Sequence, residues 1–365
     1  MTDGAPVEAE GEEEPTRFSR RQAIARIGGG GAVILGAGIV GGAIGGQAAT
    51  ANEAESGGSG LEHESVHDTE GVASGDAPIG DNAGPYGGIF APPEWMNGTE
   101  LDAATWAPLA PGGTGGAVRD VEMTVVEESI EIANGFTYEA WTYNGTAPGP
   151  TLRATEGDLL RIRFRNATNH DHNLHFHGRH SPTHDGWEPV PPGGETIYEI
   201  EAGPAGVHPY HCHTMPIDRH IAKGLYGTLI VDPKGGRPDA HELVLLQSGW
   251  DPDEVGRNEI YTWNGIAGFY EKFPIKVPTG DPVRVYLTNM IEFDPISSFH
   301  LHAETFKVWP SGIGDAPAFE TDNLTMGQTD RAMIEFSLGE RGRYMFHPHQ
   351  HSIAHRGTMG WFAAI

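Results

Sequence analysis

The chain repeats itself in a way that few folds accommodate. The stretch GDLLRIRFRN at 157–166 returns as GDPVRVYLTN at 280–289. Both alternate apolar with polar side chains, the period of a half-buried strand. Further along, Gly206 precedes His211 by five residues and Gly342 precedes His347 by five. The two halves therefore align as copies of one strand-rich unit, and no long helical pattern interrupts either. The expected architecture is all-β: two tandem Greek-key β-sandwich domains, domain 1 over 85–233 and domain 2 over 236–365, each of ordinary size for a single core.

The repeat also carries histidines. His211-Cys212-His213 holds the only cysteine of the 365 residues. Neighbouring residues of a strand point to opposite faces, so Cys212 looks one way and both histidines look the other. A lone cysteine is ordinarily a small buried apolar residue, but here its flanks argue for chemistry. In HDHNLHFHG, His175 and His177 share one strand face and His172 lies on the other. His172, Cys212 and the downstream His220 then supply two imidazoles and a thiolate, the donor set of a blue copper centre. His175, His177, His211 and His213 are left for a second site. FHLH and FHPHQH add His300, His302, His347 and His349 in the second half. There Pro348 stands where Cys212 does and Ser297 where His172 does. The second half thus keeps the cluster histidines and lacks the blue copper site. One His-x-His pair would suit a copper carrier or a zinc module, and eight repeated histidines exceed that need.

These motifs, covering 118–365, resemble the two-domain multicopper oxidases of the laccase-like superfamily, in the subgroup whose type 1 copper lies in the N-terminal domain. The resemblance implies cupredoxin-type domains, about four coppers per subunit, and dioxygen as the electron acceptor. It implies a phenol, a metal ion or a small nitrogen compound as reductant. His172, Cys212 and His220 would hold type 1 copper, and His175 and His300 type 2. His177, His211, His213, His302, His347 and His349 would hold the type 3 pair, with His211, Cys212 and His213 as the electron path. A head-to-tail homotrimer is also implied, each cluster lying between domain 1 of one subunit and domain 2 of the next. Two departures from the common laccase pattern stand out. His220 follows Cys212 by eight residues, a spacing closer to copper nitrite reductases, which form the alternative reading. Leu225 occupies the axial position, where loss of a thioether donor raises the potential, and Met215 is the rival axial ligand.

Other residues have weaker claims. His170, His208, His351 and His355 flank the ligands and read mainly as surface or supporting groups. His349 with His351 competes with His347 and His349 as the cluster pair, and the glycine spacing favours the latter. HGRHSPTHDGW supplies His180, His184 and Asp185, either a polar turn or a proton relay feeding dioxygen reduction, with Asp185 in a catalytic role. Asp218 and Glu188 near the type 1 ligands would attract a cationic donor. The net charge of -27, with only five lysines, points to a halophilic surface and excludes nucleic acid as a natural partner. Residues 1–50 read as a twin-arginine export signal, with Arg20 and Arg21 ahead of a Gly-rich apolar stretch. Residues 51–84 read as an acidic disordered linker. The expected location is extracellular or at the cell surface, with an uncleaved N-terminal anchor as the variant reading.

Overall fold

Alternation of inward and outward residues builds the first sandwich, and β4 shows how. The computed structural model describes residues 90–365, so the export signal and the linker lie outside the described residues. The strands are β1 (Val118–Ala133), β2 (Phe136–Tyr143), β3 (Leu152–Thr155), β4 (Leu159–Asn166), β5 (His175–Phe176), β6 (Glu195–Glu201), β7 (Gly206–His211) and β8 (Tyr226–Asp232). On β4, Leu160, Ile162 and Phe164 are buried. Between them Arg161, Arg163 and Arg165 face solvent, opposite Glu199, Glu122 and Glu195. One sheet has the order β2-β1-β4-β6 and the other β3-β8-β7-β5. Their facing sides enclose a core that includes Phe164, Phe176, Tyr210 and Cys212.

The second sandwich repeats the plan. Its strands are β9 (His241–Trp250), β10 (Ile260–Trp263), β11 (Ile275–Val277), β12 (Pro282–Met290), β13 (Ile296–Leu301), β14 (Phe306–Pro310), β15 (Phe319–Thr321), β16 (Asn323–Gly327), β17 (Arg331–Ser337), β18 (Gly342–His347) and β19 (Gly360–Ala364). The sheets run β10-β9-β12-β17-β14-β15 and β11-β19-β18-β13-β16. The repeat read from sequence is a repeat of pairing: β1 runs parallel to β4 as β9 does to β12. His175 sits opposite His211, as His300 does opposite His347. Even the turns recur. Asn144-Gly145 and Asn264-Gly265 both take positive φ, which two-residue turns of this hand require and Asn-Gly supplies at little cost. Short helices fill connections: α1 (Asp102–Thr105), α2 (Ile217–Ala222), α3 (Phe269–Lys272) and α4 (His351–Ile353).

The N-terminal part of the expected first domain packs elsewhere. Met96 is buried in the core of the second sandwich, and Leu101 packs against it. Trp106 bridges to Leu243, and the Ala107 amide donates to the Glu242 carbonyl at 3.0 Å. These few apolar anchors carry no strand period, so nothing local in the sequence says which sandwich they join.

A buried ionic clasp ties the sandwiches together. Arg153 on β3 meets Asp232 at 2.7 Å and Glu242 at 2.8 Å, with only 3% of its side chain exposed. Arg284 on β12 meets the same Glu242 at 2.9 Å and Glu335 at 2.6 Å, and the Tyr286 hydroxyl donates to Glu242 at 2.6 Å. Burial works against the Glu242 charge, but Arg153 and the Tyr286 hydroxyl hold its carboxyl below the usual range. Val207 and Ile230 of the first sandwich pack against Val244, Tyr286 and Trp309 of the second beside this clasp. Replacing Arg153 by Met should cost about 3–5 kcal/mol in chemical denaturation, because it strands the buried Asp232 carboxylate and leaves Glu242 to Arg284 and Tyr286 alone. A loss below about 1 kcal/mol would show the clasp to be energetically idle.

Candidate metal centres

The end of β7 delivers Cys212 inward and its neighbours outward. Cys212 and His172 are fully buried and His220 is 4% exposed. The Cys212 Sγ lies 3.2 Å from His220 Nδ1 and 3.8 Å from His172 Nδ1, and the two Nδ1 atoms are 3.1 Å apart. His172 is pinned by a two-way backbone bridge to Val190. His220 comes from α2, whose Ile217 and Ile221 pack with Leu246 and Met290 of the second sandwich. Leu225 is wholly buried in the cluster that contains Cys212, and its carbonyl accepts from the Cys212 amide at 3.1 Å. Met215 is 76% exposed, so its thioether is turned to solvent.

Two histidine quartets repeat one construction. In the first, His177 Nε2 and His211 Nε2 are 3.1 Å apart, and the His175 ring is 5.2 Å from both His211 and His213. In the second, His302 Nε2 and His347 Nε2 are 3.0 Å apart, with the His300 ring 5.3 Å from His349. The same backbone devices orient the rings. His211 Nδ1 donates to the Cys212 carbonyl at 2.9 Å, and His347 Nδ1 to the Pro348 carbonyl at 2.8 Å. His175 Nδ1 donates to the Asp185 carbonyl at 2.8 Å and His300 Nδ1 to the Asp322 carbonyl at 2.7 Å. Each bond fixes a tautomer and leaves Nε2 bare, the state in which imidazole binds metal. Among the described residues, no close ligand group draws histidines from both sandwiches.

Two supports escaped the sequence reading. Asn173 Oδ1 accepts from the His213 amide at 2.6 Å and from Cys212 Sγ at 3.5 Å, while its Nδ2 donates to the Gly186 carbonyl. Ser298, the residue aligned with Asn173, accepts from the His349 amide at 2.7 Å. Their positions directly after His172 and Ser297 in the repeat were the available signal.

The flanking groups divide. Asp185 Oδ1 lies 2.8 Å from His180 Nε2 and 3.3 Å from His175 Nδ1. His184 does not join them, since its Nδ1 accepts from the Glu199 amide. Both His180 and His184 line a cavity of about 620 Å³ with Arg179 and Lys234. His208 is buried and its Nε2 donates to the Pro204 carbonyl at 2.7 Å. His351 lies on α4, its ring 6.4 Å from His347 and 5.9 Å from His349; the close group uses His347 with His300 and His302. Glu188 is exposed. Asp218 instead has Glu292 of the second sandwich for a neighbour, whose carboxyl is pushed up to about 7 by burial and by Asp218.

Burial sets the protonation of the ligands. It pushes His172 and His177 down to about 3, and His211, His220 and His347 down to about 4, with neighbouring imidazoles adding to the effect. Burial also pushes the Cys212 thiol up, so a metal must displace its proton. Two imidazoles and one sulfur converging in an apolar pocket suit copper, and the imidazole quartets suit further copper ions. In the metal-free protein, the unfolded chain takes up protons below the ordinary histidine value of 6.5 while these folded rings do not. Their contribution is therefore intact above about 6.5 and is lost as pH falls toward about 3–4. Metal-free protein should show a melting temperature that declines steadily through that window, and a flat profile down to pH 4 would contradict it.

Comparison with known proteins agrees with the geometry. Sequence profiles described as multicopper oxidase match residues 124–236 and 245–364. A crystal structure of a multicopper oxidase is 40% identical, covers 73% of this chain and 98% of its own, and superposes with a TM-score of 0.70. A copper nitrite reductase from Nitrosomonas europaea is 29% identical, covering 68% of this chain and 94% of its own, with a TM-score of 0.64. Copper-containing nitrite reductase from Neisseria meningitidis is 28% identical over 254 residues, 63% of this chain and 64% of that protein. The match thus spans just under two thirds of that curated relative. L-ascorbate oxidase from Cucumis sativus is 27% identical over 225 residues, 53% of this chain and 36% of that protein.

Proposed function

Because the chain belongs to the multicopper oxidase family, we propose that it oxidises a reductant in one-electron steps and reduces dioxygen to water. The observation that carries this is the junction at 211–213. Cys212 joins the buried triad, while His211 joins the first quartet through Nε2. On this reading His172, Cys212 and His220 would hold type 1 copper, with Leu225 packed beside them as an apolar, non-coordinating neighbour. His175 and His300 hold type 2 copper, and His177, His211, His213, His302, His347 and His349 hold the type 3 pair. Copper bound there would supply the one-electron chemistry and the dioxygen reduction. The protein's own work is to hold neutral imidazoles, exclude water from the thiolate and deliver protons. Asp185 is suited to the last task, touching His175 on one side and His180 on the other.

The quartets do not meet within one chain, and this supports a homotrimer in which each cluster is completed by a neighbouring copy. The reductant would be a phenol, a metal ion or a small nitrogen compound. The Asp218 and Glu292 carboxyl groups beside the His220 helix favour a cation among these. Export by the twin-arginine pathway, to the cell surface or beyond, completes the proposal.

Copper-loaded protein should contain about four coppers per chain, as two imidazole quartets beside a thiolate triad require. It should also show a blue band from the Cys212 thiolate, consume oxygen with a phenolic donor and sediment as a trimer. About two coppers per chain without oxygen uptake would favour the nitrite reductase reading. The relatives named above and the Cys212-to-His220 spacing support that alternative, whereas His175 and His213 add ligands beyond its needs. Unchanged metal-ion oxidation kinetics in Asp218→Asn would count against a cationic donor.

A further inference from the structure

Neither imidazole of the blue copper triad presents an edge to solvent. His172 is fully buried and His220 is 4% exposed, so a donor finds no open ring edge to touch. Whatever carries an electron inward must therefore lie in the layer above the two rings.

One side chain of that layer lies against both rings. The Trp141 indole on β2 is itself 5% exposed. Its ring lies 5.0 Å from His172, edge to face, and 4.8 Å from His220. Its backbone amide donates to the Lys223 carbonyl at 2.9 Å, tying it to the end of α2. Against the indole lies His170, whose ring is 4.7 Å away and whose side chain is 48% exposed. Asn166 Nδ2 fixes this residue by donating to the His170 carbonyl at 2.6 Å. The His170 and His172 rings are 6.4 Å apart, so each contact through the indole is shorter than the direct gap, and the indole lies against both inner imidazoles. Arg219 lies 5.5 Å and Lys223 5.9 Å from the indole, both held by Glu254. Cations over a π face stabilise the filled ring and oppose its oxidation.

Resting on the copper-oxidase reading above, we propose that His170 and Trp141 form the inward electron path to the type 1 position. An outer-sphere donor meets His170 at the surface, and the electron tunnels through the indole to His172 and His220. The donor loses one electron and copper held by the triad gains it. No bond forms or breaks, and Trp141 ends the step unchanged, as its cationic cover favours. A ring that served only as a waterproof lid would share the burial but would have no use for an exposed aromatic neighbour in contact with it.

The test is anaerobic stopped-flow reduction of the copper-loaded protein by ferrocyanide, followed at the blue band, with its reduction potential measured in parallel. At matched driving force, Trp141→Leu and His170→Leu should each slow the decay by roughly tenfold, while Trp141→Phe keeps most of the rate. An equal or faster rate in Trp141→Leu would overturn the proposal, because removing a lid opens the imidazoles to the donor. His170 is half exposed, so His170→Leu is expected to fold and load even where Trp141→Leu does not; an unchanged rate there would also overturn the path as proposed. Absence of a blue band in the unsubstituted protein would overturn the copper reading, and the path with it.

Discussion

Successive side chains leave an extended backbone on opposite faces, and the metal centres depend on how that constraint is used at 211–213. Cys212 is directed into the apolar interior of the first sandwich, among Leu174, Tyr198 and Leu225. His211 and His213 are thereby directed to the other side. The peptide between them does a second job, since the Cys212 carbonyl accepts from His211 Nδ1 and so sets the face that His211 shows the quartet. Asn173 then holds His213 by its amide and touches the sulfur from the same carboxamide. The thiolate side and the imidazole side are therefore one rigid object, not two sites that happen to be adjacent.

The second sandwich shows which parts of this object can be lost separately. Its quartet keeps the carbonyl device, through Pro348, and the amide acceptor, through Ser298. What has gone is the sulfur pocket. Ser297, at the position of His172, is fully buried and donates to Gln247 Oε1 at 2.5 Å. Proline at 348 has no N–H to donate, as the Cys212 amide does to the Leu225 carbonyl. The ring-orienting contact needs only a carbonyl, so it survives replacement of the residue that carries it.

This division also explains what could be read in advance. Which face a histidine takes, and which histidines travel together, follow from strand period and from the repeat, so the triad and both quartets were legible. Residues brought in by distant pairing were not. Trp141 reaches the triad only because β2 lies against β1 at the sheet edge and the end of α2 folds back onto it. Asp322, the residue between β15 and β16, reaches His300 only because β16 pairs with β13. The segment around Met96 and Trp106 was assigned to the first sandwich by position alone and packs on the second. His184 sits one residue from Asp185 yet faces Glu199, because a short turn after Ser181 directs neighbouring side chains apart.

The same burial that makes these side chains good donors makes their convergence costly without a metal. Five imidazoles lie far below their ordinary proton affinity for one main reason, loss of water. The three polar groups of the triad face each other with few protons to share. Such a site does not assemble for its own stability; it is held by the apolar core around Cys212 and by the packing of the His220 helix. Metal binding would recover that cost by supplying the partner the nitrogens and sulfur lack, so affinity for the metal and stability of the fold draw on one free energy. The sandwich interiors can impose this arrangement on the triad because all three ligands come from the first sandwich. The two quartets sit in different sandwiches, and among the described residues no close ligand group draws on both, so neither interior by itself arranges all eight histidines.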